Sequence, residues 1–455
     1  MRTALVGDRD DGHLGRDILL LLAGQIVVLL AFLVALPADQ SANESPDFSL
    51  FYRPVAEHLA DGDGLVVVPG VPALRYPPGY PLVLAATFEA GDAVGVSRDD
   101  VVTPLIVVLT AVAGVLLHLV ARRIFDRRHA WVTSVLWIAY PLTLWTAKQP
   151  NSEIPFMVVL YAAVLVFLPV IDEAAARSRR LVGAGALLGL GAVIRPAGLV
   201  LLPALVLVAW FRLNGAVARR ALVCLALVAG FLVPVGLASA WMSSLGGTPV
   251  LLSDSPDLNV IDGLSLAISS REEAESLPMP GDMRRLVIDA REREDELGRE
   301  GTLGSYLAQT AREHPAALTE LVVYKAARSW YGTESFRYER WILAVQVVFL
   351  AFVTAGGVVA FRRGGSWRWY LVLAGAVTLA SWISAVAALS IVRYLVPALG
   401  LLVPLAAVSV LAVAAAKGWG PKPSVPPSSE PAPSEPVPSE PVPSEPASSA
   451  SEPSA

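Results

Sequence analysis

Long runs of apolar residues, separated by short charged segments, are the feature that most constrains the fold of this chain. Hydrophobic residues make up 55% of its 455 residues, charged residues only 16%, and the mean hydropathy is +0.57. A soluble domain carries about 25% charged residues. A bilayer core about 30 Å thick is crossed by a helix of roughly 20 apolar residues. We therefore predict an all-α integral membrane protein with several spans.

The charged loops predict how these spans are oriented. Arginines concentrate in four segments between apolar runs, at 121–130, 176–180, 211–220 and 361–368. Cytoplasmic loops carry an excess of Lys and Arg, which places all four in the cytoplasm. About ten crossings follow, and we expect both termini on the cytoplasmic side of an inner (plasma) membrane. The predicted spans are 18–36, 103–121, 130–147, 154–171, 181–194, 197–211, 218–240, 342–361, 369–388 and 393–416.

The stretch 181–211 is too short for two ordinary spans. It begins and ends beside cytoplasmic arginines but offers only roughly 46 Å of helix, at about 1.5 Å per residue. We predict a short hairpin that turns at Arg195 and Pro196, below the outer surface of the membrane. An arginine at membrane depth is costly unless it faces protein, water or an anion, which makes Arg195 a functional candidate. The alternative is that Arg195 has no functional role and only extends its side chain to the outer lipid headgroups.

The stretch 80–96 is apolar for too few residues to cross the membrane. Counting it as a span would also place the arginine-rich loops outside the cell. We predict instead a helix that lies on the outer membrane surface and is entered through Pro77 and Pro78.

Loop lengths and composition divide the chain into five segments. The outer loop 241–340 combines a charged stretch with amphipathic helices, and the Pro/Ser/Glu-rich tail is predicted to be disordered. The segments are a cytoplasmic N-terminus (1–17), an N-terminal transmembrane module (18–240) with the outer loop 37–102, the outer loop 241–340, a C-terminal transmembrane module (341–416) and a cytoplasmic tail (417–455).

Carboxylates gather on the predicted outer side. Glu44 and Asp47 follow the first span, and Glu153 opens the fourth. Asp47 is either the N-cap of a short helix or a general base that takes a proton from an attacking hydroxyl. Glu153 either charges a helix N-terminus or helps to bind an acceptor hydroxyl or a divalent cation. No His/Cys cluster with metal-ligand spacing lies beside them, so the sequence does not specify a metal.

Four cationic side chains lie on the same side, Arg75, Lys148, Arg195 and Arg393. Guanidinium groups bind phosphate bidentately, and several of them at a lipid boundary suit an anionic lipid headgroup. Each is equally explained as an interfacial anchor. The net charge of −5 and the absence of a basic stripe with interleaved aromatics argue against nucleic acid as a partner.

Several short motifs, in their order along the chain, resemble the GT-C superfamily of polyprenyl-phosphate-sugar glycosyltransferases. The resemblance covers most of residues 15–416 and is greatest to the bacterial protein-mannosyltransferase and aminoarabinose-transferase branch, which is glycosyltransferase family 39-like. The motifs are AEHLADG, RYPPGYPLVLA, an SE pair opening a later span, IRPAGLVLLPALVL and RYLVPALGLLVPL.

The resemblance implies a role for each polar candidate. The catalytic base would be Asp47 or Glu44, because the family branch has an adjacent Asp-Glu pair where this sequence has Asp47-Phe48. Arg195, Arg393 and Arg75 would bind the donor phosphate, and juxtamembrane helices of the first outer loop would shape the cavity. Use of a divalent cation varies within the superfamily, so the resemblance leaves that cofactor open.

We therefore expect an inverting hexosyl- or pentosyltransferase of the cell envelope. It would transfer a sugar from a polyprenyl-phosphate donor to a hydroxyl of a glycan, lipid or protein on the extracytoplasmic face. A transporter or lipid flippase would instead place ionisable residues near the bilayer midplane, on broken helices in matched halves. A non-catalytic scaffold would tolerate changes to the outer carboxylates.

Overall fold

The computed structural model describes residues 13–37, 45–173, 178–299 and 301–418. These residues are almost wholly helical. The helices are α1 (Leu14–Ala35), α2 (Arg53–Ala60), α3 (Gly79–Ala93), α4 (Arg98–Ile124), α5 (Arg127–Ala139), α6 (Pro141–Ala147), α7 (Glu153–Glu173), α8 (Ser178–Ile194), α9 (Leu201–Arg212), α10 (Val217–Gly246), α11 (Pro256–Leu264), α12 (Arg271–Ser276), α13 (Gly281–Glu292), α14 (Glu294–Leu297), α15 (Thr302–Glu313), α16 (Pro315–Arg328), α17 (Glu339–Arg363), α18 (Gly365–Ala387), α19 (Val396–Gly400) and α20 (Val403–Ala416).

Internal contacts divide the chain into two compact units, residues 1–412 and 413–455. The first unit holds the helical bundle and both outer loops. Of the second, the described residues are 413–418, which form the end of α20 and the turn after it. The predicted disordered tail lies outside the described residues, apart from 417 and 418.

Within the described residues, seven helical segments are long and apolar enough to cross a membrane. They are α1, α4, α7, α10, α17, α18 and the segment Val396–Ala416 that joins α19 to α20. The predicted all-α multi-pass membrane fold is confirmed, with one small exception in the first outer loop, where Val66–Val68 and Val71–Pro72 form a two-stranded antiparallel hairpin.

The predicted count of ten spans is not confirmed. Three of the ten fall on shorter elements. The stretch 130–147 is interrupted at Tyr140, whose extended backbone separates α5 from α6 just before Pro141. The other two correspond to α8, with 17 residues, and α9, with 12.

The predicted hairpin at 181–211 is present. Helix α8 ends at Ile194, Arg195 is extended, and a 3₁₀ turn at Pro196–Gly198 leads into α9. The turn is tight, because a Cβ on Gly198 would lie 2.6 Å from the backbone nitrogen of Ala192. The hairpin therefore presents Arg195 at its tip.

Glycines allow α8 to pack directly on the backbone of α10. A Cβ on Gly185 would lie 2.0 Å from the carbonyl oxygen of Leu227, and one on Gly230 would lie 2.2 Å from that of Val182. Helices in membranes associate through such small-residue contacts, because apolar burial drives little association in lipid. This contact fixes the hairpin that carries Arg195.

The first outer loop rests on the end of α8. One π-helical turn at Phe48–Tyr52 continues into α2, and α3 begins after Pro77 and Pro78, as predicted. A Cβ on Gly79 would lie 2.6 Å from the carbonyl oxygen of Val193, so the start of α3 contacts α8 backbone to backbone. With 15 residues, α3 is too short to cross a bilayer.

The second outer loop contains α11 to α16 and has its own apolar cluster. Its first residues bind the first outer loop: the Asp254 amide donates to the Leu74 carbonyl (3.0 Å) and the Ser253 hydroxyl to the Arg75 carbonyl (2.7 Å). The cluster includes Ile261, Leu264, Met283, Val287, Leu297, Leu303 and Leu321. The predicted helical loop is confirmed.

A valine at Gly185 should destabilise the protein, because the partner is the backbone of α10 and cannot move aside. We expect a loss of about 1–3 kcal/mol or more, the usual result of overpacking, seen as a lower apparent melting temperature in detergent. Gly183→Val is the matched control on the same helix, since its nearest neighbour is a side-chain carbon of Val166 at 3.9 Å. Equal melting of the two variants would contradict this packing.

The buried amine of Lys325 should make stability depend on pH. Lys325 is 4% exposed, and burial lowers its pKa from 10.5 to about 8. Between these two values the unfolded chain binds more protons than the folded one, so stability rises as the pH increases from about 8 to 10.5. The change is on the order of 3 kcal/mol.

Lys325→Met should therefore raise the apparent melting temperature at pH 7, and its advantage should disappear near pH 10. Scanning fluorimetry of both proteins at the two pH values measures the effect. Arg312→Met, at an exposed position of α15, is the control and should show no such pH dependence. A Lys325→Met protein that melts below wild type at pH 7 would refute the interpretation.

Candidate functional site

The centre of the candidate site is Glu153, which opens α7 and is 0% exposed. Its Oε1 lies 3.0 Å from Nη1 of Arg195 and 2.9 Å from Nε of Arg393. A buried carboxylate is stable only when it is paired, and here two guanidinium groups pair with it. Glu153 therefore holds both arginines at one point.

Two short 3₁₀ turns deliver the arginines. Arg195 precedes the turn that follows α8, and Arg393 lies within the turn Val392–Tyr394 that precedes α19. The Arg195 guanidinium lies 4.5 Å from the centroid of the Tyr394 ring, and its Nη1 donates to the Ser152 hydroxyl at 3.0 Å. The hairpin tip and the start of the last span are thus joined by ionic and cation–π contacts.

Asp47 stands beside this ion-paired centre. Its Oδ2 lies 3.6 Å from Nη2 of Arg393, and its Oδ1 accepts a hydrogen bond from the Tyr76 hydroxyl at 2.9 Å. The carboxylate is 35% exposed, in contrast to Glu153. Burial, and next the Asp47 charge, raise the pKa of Tyr76, so its hydroxyl stays a donor at neutral pH. The hydrogen bond from Tyr76 therefore orients the Asp47 carboxylate, which remains partly exposed to solvent.

The RYPPGYP motif connects these elements. Tyr76 orients Asp47, and the Tyr80 hydroxyl donates to the Pro150 carbonyl at 2.7 Å, three residues before Glu153. The rings of Tyr52 and Tyr80 pack edge to face with centroids 5.0 Å apart, as do those of Phe51 and Tyr76. Two prolines start α3 so that both tyrosines of the motif point at the site.

Glu334, which the sequence analysis did not select, completes the set of carboxylates. Its Oε1 lies 3.0 Å from Nη2 of Arg393, and its side chain is 42% exposed. It comes from the segment between α16 and α17. Glu334 and Arg393 line a cavity of about 150 Å³, here called the outer cleft, together with Ser45, Trp145, Thr146, Gln149, Thr333 and Ile342.

The other predicted site residues have different positions. Arg75 is exposed, and its guanidinium lies 5.4 Å from the centroid of the Tyr76 ring. The Lys148 amine lies 4.5 Å from the centroid of the Trp145 ring, which lines the outer cleft. Glu44 lies outside the described residues.

The described residues do not form an evident metal centre. They contain no group of three or more His, Cys, Asp and Glu side chains that would hold a metal ion. Asp47 and Glu334 converge, but on a guanidinium nitrogen of Arg393, where a cation would be repelled. These residues as placed do not fit a divalent cation, and no step is assigned to one.

Comparisons with known proteins bear on the fold of this chain. The family model of dolichyl-phosphate-mannose-protein mannosyltransferases matches residues 77–241, which begin within RYPPGYP and include Glu153 and Arg195. The apo oligosaccharyltransferase of Archaeoglobus fulgidus superposes with a TM-score of 0.54 at 15% identity, over 89% of this chain and 52% of that one. The fold is that of the GT-C glycosyltransferases. The resemblance expected from the sequence is thereby confirmed.

Two further structures are similar. The Archaeoglobus fulgidus oligosaccharyltransferase AglB, in complex with an inhibitory peptide and a dolichol-phosphate, gives a TM-score of 0.50 at 14% identity over 90% of this chain and 53% of that one. ArnT from Cupriavidus metallidurans, bound to undecaprenyl phosphate, gives 0.39 at 17% identity over 88% and 79%. This chain spans about half the length of the oligosaccharyltransferase. No curated protein sequence matches it.

Replacing Glu153 with glutamine should destabilise the site, because it leaves Arg195 and Arg393 close together without their shared counter-ion. Breaking a buried ion pair typically costs about 3–5 kcal/mol. We expect a clear fall in the apparent melting temperature in detergent. Glu173→Gln, at the opposite and exposed end of α7, is the control and should melt like wild type. An unchanged Glu153→Gln protein would contradict the central role of this carboxylate.

Proposed function

We propose that this protein is a membrane glycosyltransferase that transfers a sugar from a polyprenyl-phosphate donor to a hydroxyl acceptor on the extracytoplasmic face. The observation that carries the proposal is the pairing of Arg195 and Arg393 on buried Glu153, next to half-exposed Asp47. The match to the mannosyltransferase family model and the GT-C fold support the same class. Placement in the inner (plasma) membrane with cytoplasmic termini belongs to this proposal.

The proposed reaction is a single inverting displacement. The acceptor oxygen attacks the anomeric carbon of the sugar, the bond from that carbon to the lipid phosphate breaks, and Asp47 takes the acceptor proton. General-base catalysis of this kind requires an accessible carboxylate. That of Asp47 is 35% exposed, with Oδ1 bound by the Tyr76 hydroxyl and Oδ2 3.6 Å from Nη2 of Arg393. We assign the base to Asp47 for this reason; Glu44, the alternative from the sequence, lies outside the described residues.

The arginines would stabilise the departing phosphate. Arg393 is fixed by Glu153 through Nε, its Nη2 contacts Asp47 and Glu334, and the residue lines the outer cleft. Hydrogen-bond donors that are already held in place stabilise the charge that develops in the transition state, because the site does not have to reorganise. This stabilisation is often the largest contribution to catalysis. Arg195, paired with the same Glu153, would add positive charge, and we assign exposed Arg75 to the initial encounter with the phosphate.

An apolar groove supports a lipid-linked donor. It has a volume of about 250 Å³, and α17 contributes to both cavities: Ile342 lines the outer cleft, and Val345, Phe349 and Phe352 line the groove. Tyr140, which also lines the groove, donates a hydrogen bond from its hydroxyl to Gln346 of α17 at 2.8 Å. A cleft that contains Arg393 and an apolar groove on the same helix suit a ligand with a phosphate and a hydrocarbon chain.

The acceptor class, whether glycan, lipid or protein, would be set by the second outer loop. The start of that loop is hydrogen-bonded to the backbone of Leu74 and Arg75, next to Tyr76, which binds Asp47. We place Lys148, on the rim beside Trp145, as the acceptor-side cation. Glu153 is fully buried and paired, which favours a structural role over contact with the acceptor.

Asp47→Asn should lower the rate of transfer by about 10²- to 10⁴-fold, the usual contribution of a general base, while the protein remains folded. The assay offers labelled polyprenyl-phosphate mannose, arabinose, glucose and galactose in nanodiscs, with native membrane extract as acceptor. The donor consumed by wild type identifies the sugar.

Asp63→Asn, in the same loop but exposed and paired with His58, is the matched control and should retain activity. Near-full transfer by Asp47→Asn would refute the assignment of the base. If wild type consumes no donor, the enzyme proposal fails, and transport of the same lipids across sealed vesicles becomes the alternative to measure.

A further inference from the structure

Three carboxylates surround the Arg393 guanidinium, and they differ in exposure. Glu153 contacts Nε and is fully buried, whereas Asp47 and Glu334 both approach Nη2, at 3.6 and 3.0 Å. Arg393 itself is 8% exposed. Of the three, Glu334 is the most exposed, makes the closer contact with Nη2, and lines the outer cleft together with Arg393.

Glu334 is held in place by a built loop between α16 and α17. Arg328, 0% exposed, pairs with Glu339 at 2.8 Å across the base of this loop, and the Thr333 amide donates to the same carboxylate at 3.0 Å. The Val392 amide donates to the Gly332 carbonyl at 2.9 Å, which ties the loop to the residue before Arg393.

The backbone of the same loop is strained. Phe336 and Tyr338 have φ values of 55° and 64°, a region that bulky side chains rarely adopt. The Arg328 guanidinium lies 3.8 Å from the centroid of the Phe336 ring. Strained residues persist where surrounding contacts fix them, so the loop is a defined element and its contact with Arg393 is part of the fold.

We propose that Glu334 is a displaceable counter-ion, and that its carboxylate occupies the position on Arg393 that the lipid phosphate takes. This inference rests on the proposed function. Carboxylate and phosphate both bind guanidinium through anionic oxygens. A phosphate placed on Nη2 beside Asp47 and Glu334 together would meet two like charges, whereas exchange for Glu334 leaves one.

The exchange leaves the positive charge of Arg393 paired with an anion both with and without bound lipid. Without lipid, Glu334 pairs with it; with lipid, the phosphate does, and the Glu334 side chain turns to solvent, to which it is already 42% exposed. After sugar transfer, return of Glu334 to Nη2 displaces the polyprenyl phosphate. Glu334 thus opposes binding of the anionic lipid and assists its release.

Glu334→Gln tests the proposal, because it removes the competing charge and keeps the size of the side chain. Binding of undecaprenyl phosphate is measured in nanodiscs of zwitterionic lipid. We expect about tenfold tighter binding, as for removal of a close like charge. Binding of undecaprenol, which lacks the phosphate, should not change. In the transfer assay, KM and kcat should fall together, because release of the lipid product is slowed.

Glu275→Gln, at an exposed position on α12, carries the same change of net charge and is the control that should bind like wild type. Glu334→Ala should behave as Glu334→Gln does. If wild type binds the lipid through Arg393 but both Glu334 variants bind it equally or more weakly, this inference is overturned and the proposed function is not. If wild type does not bind undecaprenyl phosphate, or if Arg393→Ala binds it equally well, the proposed function falls with it.

Discussion

The ion pairs of Glu153 with Arg195 and Arg393 are the interaction on which the rest of the site depends. They join the start of α7, the tip of the hairpin between α8 and α9, and the turn before α19. Neither guanidinium would be stable in this buried position without an anion, and the carboxylate would not be stable without them. Because one oxygen of Glu153 contacts both guanidinium groups, the distance between the two cations is fixed before any substrate arrives.

Backbone contacts hold the two outer loops around these ion pairs. Gly79 brings α3 into direct contact with the end of α8, and Tyr76 then reaches Asp47. The second outer loop binds the backbone of Leu74 and Arg75, so the segment that enters α3 supports both loops. The short proline-rich motif therefore acts as a junction, which explains why two prolines and two tyrosines occur together just before an apolar helix.

Much of the site was accessible from the sequence because charge and hydropathy place residues on a side of the membrane. Asp47, Glu153, Arg195 and Arg393 were all assigned to the outer side, and the structure brings them within ion-pair distance of one another, with Asp47 the more distant at 3.6 Å. Their pairing was not predicted, because hydropathy gives depth but no lateral position. Glu334 was missed for the same reason: it lies in a charged loop with no motif, and only the packing of that loop against the last span brings it to Arg393.

The sequence by itself determined the membrane class, the helices, the hairpin turn at Arg195 and the entry to α3, because apolar run length, arginine placement and proline geometry are local properties. It did not determine the number of spans. The break at Tyr140 and the lengths of α8 and α9 depend on packing against neighbouring helices, which the local sequence does not specify. The tertiary structure decided which charges meet. It buried Glu153 between two arginines and left Asp47 half exposed, and that difference in burial is the basis of our proposal that Glu153 is structural and Asp47 the base.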